Sequence, residues 1–308
     1  MKKIKVAFFA IATLILLATS TACGGGGGGG SDDDDTPVSG FVAVPGATFN
    51  GTTAITGSYV FIAGRTVTIP SLFVCDHEVT QGEYEQYCSY GGSSPSTTYG
   101  KGSSYPAYYV SWYDALVYCN KRSVAEGRTP CYKINGKTNP SEWGTVPTSS
   151  NSTWNSATCD FAANGYRLPT EAEWEYLARG GNLTNNGQTT YSGSNDIESV
   201  AWYRENAYDV GTSSPDYGTH TVKTKAKNAL NLYDMSGNVW EWCWDRWTDT
   251  ITTSTPSTGA ASGSVRVLRG GCWFNSASLC TVSSRFNGYG PYLRSRDFGF
   301  RVVSSRSE

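Results

Sequence analysis

The 308-residue chain is poor in several residues on which large classes of protein depend. It has only two histidines, and none of its nine cysteines belongs to a CxxC pair. Because zinc sites draw on such residues and spacings, the composition argues against zinc. A net charge of −2 provides no basic surface for nucleic acid. The sequence therefore predicts neither a zinc enzyme nor a nucleic-acid-binding protein.

Long hydrophobic runs are also missing. The main apolar run, residues 6–18, is too short to cross a bilayer as a stable helix. Lysines precede it, and small residues follow it up to Cys23, which is the order of an export signal. Small residues directly before a cysteine favour lipoprotein processing. We therefore interpret residues 1–23 as a lipoprotein signal peptide with lipidation at Cys23, and cleavage without lipidation as the alternative.

Residues 24–37 contain seven consecutive glycines and four consecutive aspartates. Such a segment has nothing to bury, so it predicts a flexible tether. Residues 38–304 have a globular composition, and their length suits one large domain. The 35 glycines and 13% aromatic residues are typical of a loop-rich exported domain with aromatic anchors.

Three polar residues that can cap a helix N-terminus precede short amphipathic stretches, and two of them have a glutamate at the capping-box position. The predicted N-caps are Thr80, Ser111 and Thr170, and the helices that they begin are Gln81–Tyr87, Trp112–Ala125 and residues 171–179. Strands are expected at residues 41–44, 47–49, 59–69, 222–223, 264–268 and 299–303, and irregular loops at 129–160 and over most of 182–229.

The C-terminal stretch from Arg266 to Val303 combines two kinds of position. Architectural ones include the Arg269-Gly270-Gly271 turn and two arginines expected to be internal, Arg285 and Arg294. The others follow neither a strand nor a helix period, and their composition is typical of binding loops. They are Cys272, Phe274, Asn275, Ser276, Ser278, Leu279, Phe286, Asn287, Gly288, Tyr289, Tyr292, Leu293, Ser295, Arg296, Asp297 and Phe298. The alternative is an ordinary glycine-rich loop region.

Several motifs together resemble the formylglycine-generating-enzyme-like, or sulfatase-modifying-factor, family. They are residues 78–81, 105–112, 166–175 (YRLPTEAEWE), 232–242 (LYDMSGNVWEW), 269–271 (RGG) and 299–301 (GFR). The resemblance extends from about residue 41 to residue 303. It implies an α+β protein with a modified C-type lectin fold, rich in loops and with few long elements.

The resemblance also bears on catalysis. The family's enzymes use two redox-active cysteines, five residues apart, shortly after the Gly-Gly pair. Aligned on Gly270 and Gly271, these positions are Asn275 and Cys280, so the first thiol is missing. A carboxamide does not replace sulfur in binding Cu(I). We therefore expect no catalysis, with a formylglycine-generating or related oxidase acting through Cys280 as the alternative. Iron-dependent relatives need a histidine cluster, which two histidines cannot supply.

Relatives hold a structural calcium in the turn that corresponds to residues 234–241. The resemblance implies a possible calcium set of the Asp234 and Glu241 side chains with the Gly237 and Val239 carbonyls. Oxygen ligands in a glycine-containing turn suit calcium. The alternative is that both carboxylates only hydrogen-bond the turn. We expect no other cofactor to be required.

A narrower resemblance is to the variable lipoproteins of this family that diversity-generating retroelements target, a group that includes treponemal variable proteins. In these, mutagenesis at adenines of Asn codons cannot produce Lys, Glu, Gln, Met or Trp. Between Cys272 and Phe300 the sole such residue is Trp273, an architectural one. The resemblance implies a ligand-display region at 272–298, with affinity from Phe274, Phe286, Tyr289, Tyr292 and Phe298 and charged specificity from Arg296 and Asp297.

These observations predict a non-catalytic, lipid-anchored protein at the outer membrane or cell surface. Its partner would be an unidentified surface or host protein, since aromatic residues mixed with opposite charges suit a protein better than a sugar. It would contact the membrane through its N-terminal lipid and would not bind nucleic acid. A third possibility is a structural envelope lipoprotein with an inert surface.

Overall fold

The computed structural model describes residues 37–287 and 289–306. The predicted signal peptide, its lipidated Cys23 and nearly all of the tether lie outside this range. The described part is an α+β domain of short elements joined by long loops. Its α-helices are α1 (Gln81–Tyr87), α2 (Trp112–Ala125), α3 (Ser152–Asn155) and α4 (Glu171–Ala178). Shorter helical turns occupy Pro140–Glu142, Ile197–Ser199, Arg204–Tyr208 and Ala277–Leu279.

Twelve short strands are found among the described residues. They are β1 (Phe41–Val44), β2 (Ala47–Phe49), β3 (Val67–Ile69), β4 (Leu72–Cys75), β5 (Tyr132–Lys133), β6 (Thr158–Cys159), β7 (Tyr166–Arg167), β8 (Trp240–Arg246), β9 (Arg266–Arg269), β10 (Arg285–Asn287), β11 (Phe298–Gly299) and β12 (Val303–Ser305). They form two four-stranded sheets and two two-stranded ribbons, β2–β3 and β5–β6.

The first sheet has the order β1-β4-β12-β7, with antiparallel neighbours throughout. Strand β4 lies at its centre, where Val74 is opposite both Val42 of β1 and Val303 of β12. The first and last strands of the domain therefore flank the same strand. The two ends of the domain are thus held together in one sheet. The other elements lie between them along the chain.

The second sheet has the order β10-β9-β8-β11, and β11 runs parallel to β8. The chain leaves this sheet at Arg269, the end of β9, rejoins it in β10, and returns again at Phe298, the start of β11. The display region at 272–298 therefore consists mainly of two loops, one before β10 and one after it. Strands of the same sheet hold both loops at their ends.

The helices begin where side-chain capping predicts. Thr80 accepts a hydrogen bond from the Glu83 amide, and Thr170 accepts one from the Glu173 amide, with the reciprocal bond present in each case. Ser111 forms the same box with Asp114 at the start of α2. The bounds of α1 and α2 match the predicted ones because caps are local interactions that the sequence specifies directly.

Several predicted strands were wrong in extent. Only Val67–Ile69 of the predicted 59–69 strand is extended in a sheet, and no strand forms at 222–223. The expected last strand is interrupted after Gly299 and resumes at Val303. Aromatic and β-branched residues at these places pack in loops, which shows how tertiary contacts override strand propensity. Within 129–160, predicted as irregular, β5 and β6 form a short ribbon.

The core is unusually aromatic. Five tryptophans are fully buried, and two of them donate their indole N–H to main-chain oxygens: Trp112 to Cys243 at 3.0 Å and Trp242 to Val110 at 2.9 Å. Those bonds join α2 and its approach to β8. No cysteine in the described part of the chain forms a disulfide bond. Within the same part, no helix combines the length and apolar character needed to cross a membrane.

Candidate ligand-binding face

The display region starts at a turn that accepts glycine only. Gly270 and Gly271 have φ angles of 95° and 78°, and a Cβ on Gly271 would lie 2.7 Å from the Cys280 sulfur. A side chain here would be strained and would clash. Arg269, just before the turn, is fully buried and donates to Glu175 of α4 at 2.5 Å. The turn is therefore fixed to the core of the domain.

Two more arginines join the region to the helices. Both were predicted from the sequence to be internal. Arg285 donates to both carboxylate oxygens of Glu171 at the start of α4, at 2.5 and 2.8 Å. Arg294 binds Asp114 at the start of α2 in the same way, at 2.6 and 2.8 Å. Paired hydrogen bonds of this kind fix orientation as well as position. The backbone of the region is thus held at three points.

Between those points, one group of rings rises from the second sheet. Phe286 stacks on the buried Trp240 with ring centroids 5.1 Å apart. Tyr289 lies 5.9 Å from Phe286 and 5.9 Å from Phe298, and 55% of its surface is exposed. We call Trp240, Phe286, Tyr289 and Phe298 the Phe286 cluster. It places two rings on a buried aromatic base with their outer surfaces in contact with solvent.

A second group surrounds Arg296. Its guanidinium lies 4.8 Å from the Tyr99 ring and 5.3 Å from the Phe274 ring, and it donates to the Tyr99 hydroxyl at 3.0 Å. Contacts over aromatic faces hold the cation in one place. We call Tyr99, Tyr208, Tyr217, Trp273, Phe274 and Arg296 the Arg296 cluster.

Three of the predicted display positions are buried and were wrongly assigned to the surface. Cys272 is fully buried directly behind the glycine turn, and its thiol lies 2.9 Å from the Asn275 side-chain oxygen. Phe298 belongs to β11, where it packs edge-on against Trp242. Asp297 accepts a hydrogen bond from Ser295, and burial raises the pKa of its carboxyl. Asp297 is thus not the exposed charged contact that the sequence suggested.

Of the remaining predicted positions, Gly288 lies outside the described residues. All the others are in contact with solvent. Ser278, Leu279, Asn287 and Tyr289 are exposed, and Phe274, Asn275, Ser276, Phe286, Tyr292, Leu293, Ser295 and Arg296 are half-buried. Not all of them gather at the two clusters. Ser278 and Leu279 line a surface depression with Tyr59 and Trp247, and the Asn275 amide oxygen accepts from the Cys272 N–H at 3.0 Å.

Sequence reasoning missed Tyr99, Tyr208 and Tyr217. Tyr99 and Tyr217 come from loops and Tyr208 from the helical turn Arg204–Tyr208, all far from the display region along the chain, and no periodic or capping signal marks them. The single clue was their aromatic character within segments rich in glycine and serine.

Burial shapes the chemistry of the two thiols near the turn. Cys280 is fully buried, and burial raises its pKa to about 12. Burial also raises the pKa of Cys272 well above its ordinary value. Both side chains are therefore protonated near neutral pH, whereas the reactive form of cysteine is the thiolate.

The turn that carries the predicted calcium ligands is packed against other side chains. Both Glu241 oxygens accept from Arg301, at 2.8 and 3.1 Å, and one also accepts from the Trp174 indole at 2.7 Å. Asp234 accepts from the Lys223 amide at 2.7 Å, and burial raises its pKa to about 6. A carboxylate already paired with a guanidinium does not fit a calcium ligand without exchanging that partner.

Glu78 completes this turn. It is fully buried and accepts hydrogen bonds from the Asn238 side chain at 2.6 Å and from the Val239 amide at 3.0 Å. A single carboxylate thus satisfies two donors of the turn, and the contact links it to the segment before α1.

Comparison with known proteins places the chain in a family. Residues 30–306 match the family model described as the sulfatase-modifying factor enzyme 1-like domain. The chaperone protein LppX of Paenibacillus barcinonensis is 38% identical over 259 residues, which cover 79% of this chain and 83% of that protein. The formylglycine-generating enzyme of Streptomyces coelicolor is 35% identical over 163 residues, 49% of this chain and 50% of that enzyme.

Among solved structures, Treponema denticola variable protein 1 superposes with a TM-score of 0.71 and 33% identity. The match covers 87% of this chain and 95% of that one. The fold is therefore the modified C-type lectin fold that the motifs implied. On the match over residues 30–306, the chain belongs to the family of sulfatase-modifying factor enzyme 1-like domains.

Proposed function

We propose that this protein is a non-catalytic, surface-displayed binding protein whose C-terminal face holds a diversified set of ligand-contacting side chains. The proposal rests on one observation: some side chains of that region hold its backbone, and others are accessible to a ligand. Largely enclosed arginine–carboxylate pairs hold its backbone, while most of the display positions between them are exposed or half-buried. Such a frame can keep its shape while the exposed residues change.

The binding groups are the outer rings of the Phe286 cluster and, in the Arg296 cluster, the guanidinium and the half-buried rings that surround the buried Trp273. Tryptophan, tyrosine and arginine are enriched among the residues that supply most of the affinity in protein–protein interfaces, and tyrosine buries a large area at a low cost in side-chain entropy. A protein partner therefore suits this face. The match to a variable protein covers 87% of this chain and 95% of that one, and it supports the same function. The match to a formylglycine-generating enzyme covers only about half of each chain.

Absence of catalysis is supported by the thiols. Asn275 occupies the place of one family cysteine and uses its side chain to hold the turn, and Cys280 is protonated and enclosed. An oxidase acting through Cys280 is the alternative, and it would require that side chain to become accessible.

Export and lipidation at Cys23 belong to the same proposal. The signal pattern of residues 1–23 and the glycine–aspartate tether would place the domain outside the membrane on a flexible connection. Placement at the outer membrane or cell surface follows from the need to meet a partner outside the cell.

The test of diversification is the DNA beside the gene. We expect a near-copy of its 3′ end, differing at adenines in the codons of display positions, next to a reverse transcriptase gene. Isolates should differ at Tyr289, Phe286 and Arg296 while Arg269, Arg285 and Arg294 stay constant. A locus without a near-copy, or isolates that vary equally at the arginines and the display positions, would remove the proposal.

A further inference from the structure

A thiol, an imidazole and a carboxylate meet at the end of β4, away from the display region in sequence. Cys75 is the last residue of β4, His77 lies in the turn that follows, and Glu83 lies in the first turn of α1. One possible ligand atom from each lies within 4.8 Å of the others. The Cys75 sulfur is 4.0 Å from His77 Nε2, which is 3.2 Å from Glu83 Oε2.

These separations suit one metal ion between the three side chains. Zinc binds nitrogen, oxygen and sulfur at about 2.0 to 2.3 Å, so neighbouring ligand atoms of a tetrahedral site lie roughly 3.3 to 3.8 Å apart. The two separations that involve His77 Nε2 fall close to either side of that range, and the third, between Cys75 and Glu83, is within 4.8 Å. The mixture of one soft and two harder donors also suits a borderline ion such as zinc.

The imidazole is oriented as a metal ligand would be. His77 Nδ1 lies 2.5 Å from Asp76 Oδ1, and the other oxygen of Asp76 accepts from Lys223 at 2.7 Å. A proton on Nδ1 is thereby directed to Asp76, which leaves Nε2 directed toward Glu83, and the Cys75 sulfur lies beside the ring, 3.7 Å from Nδ1 and 4.0 Å from Nε2. Metal-bound histidines usually have such a carboxylate behind them, because it fixes the ring and its tautomer.

We infer that Cys75, His77 and Glu83 bind a divalent metal ion of the zinc type, with Asp76 as the residue that orients His77. The fourth position of the ion is left for water. On binding, the Cys75 thiol gives up its proton and His77 binds through a neutral Nε2, so the site gains the ion and releases protons to solvent. The ion would join β4 to α1.

The contacts that compete with the ion are also defined. Glu83 Oε2 accepts from the amide and hydroxyl of Thr80, both at 2.9 Å, and Glu83 lies 3.8 Å from Arg122. Lys223 adds a second cation next to Asp76. Without an ion the same residues form a hydrogen-bonded clamp, and the experiment must separate a clamp from a metal site.

The spacing of these residues in the sequence did not predict this site. Two histidines and no CxxC pair argued against zinc, and a Cys-x-His-x₅-Glu spacing is not a recognised ligand pattern. The three residues meet because the chain turns from a strand into a helix between them. The site is not sealed, since 12% of the His77 and 26% of the Glu83 side chain remain exposed.

The test is metal binding by the purified full-length protein after chelation. We expect one equivalent of Zn²⁺ by titration calorimetry, and with Co²⁺ a sulfur-to-metal charge-transfer band. Cys75→Ser and His77→Ala should each weaken binding by at least about 100-fold, and Asp76→Asn by about 10- to 100-fold. Cys88→Ser is the matched control, since Cys88 is also buried and lies outside the cluster, and it should bind as the wild type does.

A readout independent of the variants keeps the test decisive if one of them fails to fold. The wild-type cobalt complex must show a thiolate band, and Zn²⁺ must raise the melting temperature of both the wild type and Cys88→Ser. A cobalt complex without sulfur ligation, or Zn²⁺ affinity that Cys75→Ser and His77→Ala leave unchanged, would show that the cluster is only a hydrogen-bonded clamp.

Discussion

Arg294 in the display region and Asp114 in the first turn of α2 form a two-point ion pair, with Nε–Oδ2 and Nη2–Oδ1 distances of 2.6 and 2.8 Å. The Asp114 carboxylate also accepts from the amide and hydroxyl of Ser111, which closes the capping box of α2. One carboxylate thus fixes both the start of a buried helix and the backbone of the binding face.

This pairing makes Arg294 a determinant of stability. Arg294→Ala leaves Asp114 buried without its cation, a change that costs about 3 kcal/mol. For a domain of this size the melting temperature should fall by about 6 to 12 °C. Thermal and urea unfolding followed by circular dichroism measure the loss.

Arg296→Ala is the control for that experiment. Its guanidinium contacts aromatic rings and a hydroxyl rather than a buried carboxylate, so its removal should cost about 1 kcal/mol or less. Equal losses for the two variants would mean that Arg294 does not act as an internal support.

Tyr289 and Phe298 form a second contrasting pair, because their rings lie 5.9 Å apart but only one is exposed. Tyr289→Ala should change the free energy of unfolding by no more than about 0.5 kcal/mol, as is usual for surface positions. Phe298→Ala opens a cavity under the cluster and should cost about 3 to 5 kcal/mol. Urea unfolding of the two variants compares them directly.

If Tyr289→Ala destabilised the domain as much as Phe298→Ala, the exposed ring would be part of the core and unsuited to free variation. If Phe298→Ala were neutral, its assignment to the buried base of the cluster would be wrong.

The contrast shows how far the sequence determines this site. The helix starts at Thr80, Ser111 and Thr170 were predictable because each cap bonds to an amide only a few residues away. The family motifs supplied the fold because they extend along nearly the whole domain. Local patterns and motifs together were enough for the frame.

The burial of individual display positions was not predictable in the same way. Phe298 is buried because β11 pairs with β8, whose residues lie almost sixty positions earlier in the chain. Tyr99 reaches Arg296 from a loop that is even more distant. A loop sequence without periodicity does not reveal which distant residues it will pack against. The sequence alone therefore does not distinguish a solvent-facing ring from a buried ring beneath it.

Cys280 should be chemically inert in the folded protein. With its pKa raised to about 12, about one molecule in ten thousand carries the thiolate at pH 8. Iodoacetamide at that pH should leave Cys280 unmodified in the native protein and modify it in guanidinium, as peptide mass mapping would show. A sulfatase peptide supplied with copper should not be converted, and Cys280→Ser should behave as the wild type.

Alkylation of Cys280 at equal rates in the native and unfolded protein would contradict its enclosure. Conversion of the peptide by the wild type and not by Cys280→Ser would establish the oxidase alternative in place of the binding function.

Asp234 should make stability depend on pH below neutrality. Burial raises its pKa to about 6 in the folded protein, against about 3.9 in an unfolded chain. The protonated form therefore stabilises the folded state. This contribution is complete below about pH 4 and is lost as the pH rises through 6, with a total of about 3 kcal/mol. Asp234→Asn, which cannot titrate, should lack that decline, while the exposed Asp209→Asn should keep it.

The same variants test calcium at this turn. Because Arg301 holds both oxygens of Glu241, we expect millimolar calcium to leave the wild-type melting temperature and its pH dependence unchanged. A bound ion would instead keep Asp234 ionised, since a nearby cation lowers the pKa of a carboxyl. Calcium would then raise the melting temperature of the wild type and of Asp209→Asn but not of Asp234→Asn, and the decline between pH 4 and 6 would disappear. That result would mean that Glu241 exchanges its guanidinium partner for the ion.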